Sequence, residues 1–225
     1  MDSRRTFLAS LGGASLLVAC SHPSHVEAPH EGEDEVTPAE DLMREHGIVR
    51  RVMFLYDEAA GRLEKGGDVP LDALGSAAAL IRRVIEDYHE KLEEEFLFPR
   101  FEKANRQVEL VATLRKQHVV GRTVTDRISA LAKAKLADAD RATLAQTLRA
   151  FDRMYQAHAS REDTVLFPML RELVGAHEYA ELGEQFEDRE TKMLGEHGFE
   201  RAVDEVSVLE KAFGVDGLAA LTAPA

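Results

Sequence analysis

The chain has 225 residues, 28 Lys and Arg against 41 Asp and Glu, a formal net charge of −13, one Cys and no Trp. Acidity without a basic stripe argues against a nucleic-acid partner, and a single cysteine excludes a disulfide framework and a thiolate metal site. The length allows one or two domains, and a composition rich in Ala, Leu, Glu and Arg with few Pro favours helix.

Residues 1–20 read as a processing segment. Ser3-Arg4-Arg5-Thr6-Phe7-Leu8 looks like a twin-arginine export signal, with Arg4 and Arg5 as its pair. The apolar run from Phe7 to Ala19 is interrupted by Gly12 and Gly13 and is short for a bilayer span. It ends in Leu17-Val18-Ala19-Cys20, which resembles a bacterial lipobox and makes Cys20 the expected lipidation site. The expectation is an exported lipoprotein, periplasmic or at the cell surface, held to a membrane through Cys20. The twin-arginine route implies export of a folded chain, so a metal site could be loaded beforehand. Residues 21–36 are polar and acidic and read as a disordered tether, in which His22, His25 and His30 belong to the spacer.

Thr37-Pro38-Ala39-Glu40 starts a helix with a capping box, and the helix runs to about Lys65 before Gly66-Gly67-Asp68-Val69-Pro70. Leu42, Val49, Val52, Met53 and Tyr56 form its apolar stripe, and His46 shares that face. A second helix spans about Leu71 to Lys103, with His89 and Glu93 in the stripe of Val84, Ile85, Tyr88, Leu92 and Phe96. A third spans about Val108 to Leu136, where His118 continues the row from Leu114. A fourth opens near Asp140, a candidate cap, and runs to about Leu173, with His158 and Glu162 among Phe151, Tyr155, Val165 and Met169. Short breaks make neighbouring helices antiparallel, so residues 37–175 are expected to form an all-α, up-down-up-down four-helix bundle. Weaker helical stretches over 176–215 read as a C-terminal extension covering one end or side.

One phrase occurs twice. His89-x-x-x-Glu93 precedes Leu97-Phe98-Pro99, and His158-x-x-x-Glu162 precedes Leu166-Phe167-Pro168. A His and a Glu four apart share a helix face. The repeat widens to a whole hairpin: His46 stands 43 residues before His89, and His118 stands 40 before His158. Each half therefore brings two His and one Glu to an apolar face. Two buried glutamates need a compensating cation. Imidazole with carboxylate suits iron, manganese or zinc better than calcium or magnesium. Four His and two Glu exceed one tetrahedral zinc and suit two carboxylate-bridged ions, with open positions for water or a small molecule.

These residues resemble the hemerythrin-like (HHE cation-binding) family over roughly residues 38–175. The matches are Glu45-His46, His89-x-x-x-Glu93-Glu94 before Leu97-Phe98-Pro99, Gln117-His118 with Gly121-Arg122, and His158-x-x-x-Glu162 before Leu166-Phe167-Pro168. The resemblance implies a non-haem di-iron centre, with His46, His89, His118 and His158 as terminal ligands and Glu93 and Glu162 as bridges. Some members also use the acid after the second His, which adds Glu90 as a candidate. The oxygen carriers of the family have a second His in the third helix, where this chain has Leu114 and Arg122 at the corresponding offsets from His118. They also have His-x4-Asp in the fourth. Those departures set the chain apart from reversible oxygen carriers and favour oxygen, peroxide or nitric oxide chemistry, or iron handling without turnover. The expected cofactor is two iron ions, with manganese or zinc the lesser alternatives.

Other residues carry weaker expectations. His197, in Gly195-Glu196-His197-Gly198, echoes His46 but lies outside the repeat and is expected not to be a ligand. Tyr88 and Tyr155 read as core residues or as partners that tune the ligands. Glu94, Glu95 and Asp163 read as a solvated face or local ion pairs.

Overall fold

The computed structural model describes residues 36–133, 136–215, 217 and 221–223. The expected export signal with Arg4 and Arg5, the Cys20 site and the tether to residue 35 lie outside the described residues. Six helices follow in order: α1 Pro38–Glu64, α2 71–103, α3 Val108–Ala132, α4 138–174, α5 Ala176–Leu194 and α6 Gly198–Phe213. Among the described residues no helix is long and apolar enough to cross a membrane.

α1 starts as its sequence dictates. The Thr37 hydroxyl accepts from the Glu40 N–H at 3.3 Å, and the Glu40 carboxylate accepts from the Thr37 N–H at 3.4 Å. Two expected ends shift. α3 stops at Ala132 rather than near Leu136, and α4 begins at Asp138, with Ala137 rather than Asp140 at the cap position. Asp138 and Asp140 both fall in the first turn of α4, where a negative charge complements the helix dipole without capping it.

Contacts along the helices fix the topology. His46, early in α1, faces Glu162, late in α4, whereas Glu64 at the end of α1 meets Arg149 further back along α4. Glu45 meets His89, Glu94 meets His118, and Gln117 meets His158. Each neighbouring pair therefore runs antiparallel, as expected of an up-down-up-down bundle. α5 and α6 pack beside α1 and α2 within the same compact unit. Arg51 of α1 holds Glu210 of α6 through two bonds of 2.7 and 2.6 Å. Gly175, at φ +81°, makes the reversal between α4 and α5 in a conformation that L side chains rarely adopt.

The apolar core falls into two clusters. One contains Val52, Tyr56, Leu80, Ile128, Leu148 and Phe151 and is covered by Val206 and Leu209 of α6. The other contains Leu42, Leu92, Phe98, Leu114 and Leu170 and is covered by Leu182 and Phe186 of α5. Each such side chain contributes about 1.5–3 kcal/mol on burial. In each bundle helix the sequence-predicted histidine lies at the junction of the two clusters, so the four share one buried polar layer.

Candidate metal centre

All six sequence-predicted residues meet in that layer. His46, His89, Glu93 and Glu162 bring ligand-type atoms within 4.8 Å of one another, and so do Glu93, His118, His158 and Glu162. The two glutamates belong to both groups. Glu93 sets one oxygen 3.7 Å from His89 Nε2 and the other 3.4 Å from His118 Nε2. Glu162 lies 3.5 Å from His46 Nε2 and 3.1 Å from His158 Nε2. Each carboxylate thus reaches one histidine from each half of the chain.

The backbone at both glutamates is a π-turn. In Glu93–Leu97 and Glu162–Leu166 the hydrogen bonds skip five residues, so the Phe98 N–H bonds the Glu93 carbonyl and the Phe167 N–H bonds the Glu162 carbonyl. The cause is in the sequence. Pro99 and Pro168 have no N–H to give and crowd the preceding turn, and the helix relieves this by widening. A wider turn spaces consecutive side chains by a smaller angle. Glu93 and Glu94, and likewise Glu162 and Asp163, can then both reach inward. Another π run, Ile81–His89, leads directly into His89.

The outer nitrogens of the histidines are all engaged. His46 Nδ1 lies 2.7 Å from Asp163, His89 Nδ1 2.6 Å from Glu45, His118 Nδ1 3.0 Å from Glu94, and His158 Nδ1 3.0 Å from the Gln117 amide oxygen. These oxygens accept, so each Nδ1 donates and each Nε2 presents its lone pair to the centre. Arg50 holds Asp163 and Arg122 holds Glu94. Phe167 stacks on His46 at 5.4 Å and Phe98 on His118 at 5.5 Å.

Glu94 and Asp163 therefore do more than the solvated face or local ion pairs expected of them. They do pair with Arg122 and Arg50, but each also orients a histidine. Glu95 is exposed and pairs with Arg189, in line with the expectation. Sequence reasoning also missed the roles of Glu45 and Gln117. The signal was the repeat register: both stand immediately before a histidine, and Glu94 and Asp163 both follow the repeated Glu.

Glu90 belongs to neither group of four, but with Glu94 and His118 it forms a third group whose ligand-type atoms lie within 4.8 Å of one another. Its oxygens meet the Tyr155 hydroxyl at 2.6 Å and the Arg122 guanidinium at 2.7 Å. Tyr155 reaches it because Gly121 has no side chain: a Cβ there would lie 2.2 Å from the Tyr155 oxygen. The buried Tyr88 hydroxyl lies against the Glu45 carboxylate, the acid that also holds His89. His197 is exposed at the start of α6 and belongs to none of the converging groups.

The electrostatics call for a cation. Both oxygens of Glu93, both of Glu162 and His89 Nε2 are buried without a hydrogen-bond partner. Orphans of this kind are rare in folded proteins and costly. Burial, then Glu162, push the Glu93 carboxyl well above its ordinary range. Burial also raises Glu162, but His158 and His46 outweigh it and hold that carboxyl well below. Burial drives His89 down, and it lowers His118 to about 4 against the pull of Glu94. At His46 burial is outweighed by Asp163 and Glu162, and the imidazole is pushed up to about 9. With no metal ion, a proton on His46 supplies the positive charge. A metal would supply it better and displace that proton. The donor set fits such an ion: neutral imidazoles and carboxylates, dry, convergent and held from behind.

A buried layer of four histidines sharing two glutamates, inside a four-helix bundle, defines a class of helical metal-binding proteins. The hemerythrin HHE cation-binding domain matches residues 37–170, with an overlapping match over 110–208. The chain belongs to that family. It is 41% identical over 222 residues to uncharacterized proteins of Mycobacterium tuberculosis and Mycobacterium bovis, covering 95% of this chain and 87% of each relative. No solved structure matches the chain.

Proposed function

We propose that the chain is a non-haem di-iron protein that binds or reacts with a small ligand: oxygen, peroxide or nitric oxide. The observation that carries this reading is the pair of fully buried, unpartnered glutamates, each facing a histidine of both halves. In this reading His46 and His89 would hold one ion and His118 and His158 the other, with Glu93 and Glu162, common to both groups, serving each. Iron so held supplies redox and Lewis-acid chemistry toward the small ligand. The protein's own part is positional. Asp163, Glu45, Glu94 and Gln117 fix the imidazole tautomers, and Phe98 and Phe167, stacked on His118 and His46, shield the layer from bulk water.

The test is metal content and the visible spectrum of the purified protein, with and without azide or peroxide. About two irons per chain and an oxo-bridge charge-transfer band that azide shifts are the expected result. One zinc or no metal would overturn the reading. Rapid reoxidation of the reduced protein distinguishes reaction from storage, in which iron leaves without turnover.

Export is part of the same proposal and rests on Arg4, Arg5 and Cys20 alone. Cys20→Ala is expected to move the protein from the membrane to the soluble fraction. Lys for both Arg4 and Arg5 is expected to retain it in the cytoplasm. Unchanged fractionation of both would remove that part of the proposal.

A further inference from the structure

Two arginines stand at matching places, four residues after His46 and His118, and they sit differently. Arg50 pairs with Asp163 and keeps 45% of its side chain exposed. Arg122 is drawn inward, with 22% exposed. Its Nη2 lies 2.7 Å from a Glu90 oxygen, 2.7 Å from a Glu94 oxygen and 3.4 Å from the Glu86 carbonyl. Glu94 in turn lies 3.0 Å from His118 Nδ1. One nitrogen therefore bridges two carboxylates from successive turns of α2. The first half has no such pair of acids, because Ala159 stands where Glu90 would match.

The groups around that nitrogen make a ligand set of their own. Glu90, Glu94 and His118 are the third converging group, and of the three His118 alone also belongs to a group of four. Two carboxylates and an imidazole would suit a divalent ion. What fills the position is a guanidinium, which stays charged and offers no lone pair. The difference matters to His118. An ion at Nδ1 would displace the proton that Glu94 accepts, and with it the tautomer that aims Nε2 at the centre. The guanidinium satisfies the same acids and leaves that proton in place. The position is also costly to leave empty. Glu90 is 1% exposed and its other oxygen is taken by Tyr155 at 2.6 Å, so without Arg122 a buried carboxylate would lose its counter-charge.

We propose that Arg122 occupies the place of a third metal ion and thereby holds the centre to two. It determines specificity: it keeps divalent cations off the outer nitrogen of His118 while compensating Glu90 and Glu94. The first half needs no such guard, since Ala159 leaves Asp163 without a partner acid and Arg50 stays at the surface. The count of two rests on the reading of the buried layer as a di-metal centre. The third position rests on Glu90, Glu94 and His118 alone.

The test is the number of manganese(II) ions bound by the chelator-stripped full chain. Elemental analysis after gel filtration counts them, and loss of the free-ion electron spin resonance signal checks the count. Arg122→Ala is expected to bind about one ion per chain more than the wild type. Arg122→Lys keeps the charge and is expected to bind no more than the wild type. Glu90→Gln added to Arg122→Ala is expected to take the extra ion away, and Arg50→Ala is expected to add none. If Arg122→Ala folds poorly by circular dichroism, Arg122→Met keeps an apolar stem and carries the same expectation. A merely structural Arg122 predicts lost ions, not a gained one. No extra ion in either variant overturns the proposal, and so does an extra ion that survives Glu90→Gln or that Arg50→Ala also gains. A wild-type chain that binds no ion overturns the di-metal reading instead, and an ion gained by Arg122→Ala over that baseline still supports the third position.

Discussion

The two halves of the bundle are related by an approximate twofold, and their differences are more informative than their likeness. In each half the residue before the first histidine supports the second: Glu45 supports His89, and Gln117 supports His158. The residue after each shared glutamate supports the first histidine of the other half, Glu94 for His118 and Asp163 for His46. Arg50 and Arg122 back those acids, and Phe167 and Phe98 cover those histidines. Around the histidines the symmetry breaks in ways that bear on the site. Glu45 is charged where Gln117 is neutral, Gly121 stands where the first half has Val49, and Glu90 stands where the second half has Ala159. The first pair of histidines is thus backed by two carboxylates and the second by one carboxylate and one amide. Outer carboxylates raise imidazole basicity, so the proposed His46–His89 site is the stronger of two unequal sites.

The largest effect is expected where the halves are joined. Glu93→Ala or Glu162→Ala removes a carboxylate common to both groups, so iron is expected to fall from about two per chain to near none. His158→Ala strips only the weaker site and is expected to leave about one iron per chain without the bridged charge-transfer band. Equal losses from His158→Ala and Glu93→Ala, measured by elemental analysis, would show that the halves do not bind separately.

The next effect reads the asymmetry directly. Glu45→Gln makes the first half like the second and is expected to weaken metal binding there by about 10–100-fold. Gln117→Glu is expected to strengthen the other site in the same range. Competition titrations with a chelator check both signs, and no change in either variant would detach the outer carboxylates from metal affinity.

Much of this was legible in the chain. Helix periodicity placed the four bundle helices within a few residues, because each is long and has an apolar stripe that packing enforces; the C-terminal helices were expected only as weaker helical stretches. The six polar residues of the centre were legible because they recur in register on those stripes. The orienting role of Glu94 and Asp163 was not. Helical geometry sets the residue after an inward-facing one partly toward solvent, and only the π-turns before Pro99 and Pro168 swing both members of each pair inward. The two prolines were visible, but their consequence depends on how the helix absorbs the missing N–H. The contact of α5 with the start of α1 was not legible either, since α5 meets α1 across more than 130 residues of chain.

A smaller effect is expected at Gly121. Its Cβ would strike the Tyr155 hydroxyl, and the ring behind it at 2.9 Å leaves no easy retreat. Gly121→Ala is expected to cost about 1–3 kcal/mol and to part Tyr155 from Glu90. Val49→Ala, at the matching place in the first half, removes buried methyl groups and leaves that pair alone. Thermal melts of both variants, each also combined with Tyr155→Phe, separate the two causes. Relief of the Gly121→Ala loss by Tyr155→Phe would assign it to the hydroxyl, and no relief would place it elsewhere.

The smallest effect concerns a residue with no counterpart, since the position matching Asp41 in the second half is the exposed Thr113. In the metal-free fold the Asp41 carboxyl is raised, chiefly by burial, from its ordinary 3.8 to about 7. Between those values the folded chain keeps a proton that the unfolded chain has lost. Stability therefore falls as pH rises from about 4 to about 7, and the loss is complete above that. Asp41→Asn removes this dependence. The stripped variant is expected to match the wild type near pH 4 and to exceed it at pH 8, by on the order of 1–3 kcal/mol. Denaturant melts at the two pH values check the sign. A stripped Asp41→Asn variant no more stable than wild type at pH 8 would show that the carboxyl is already compensated within the fold.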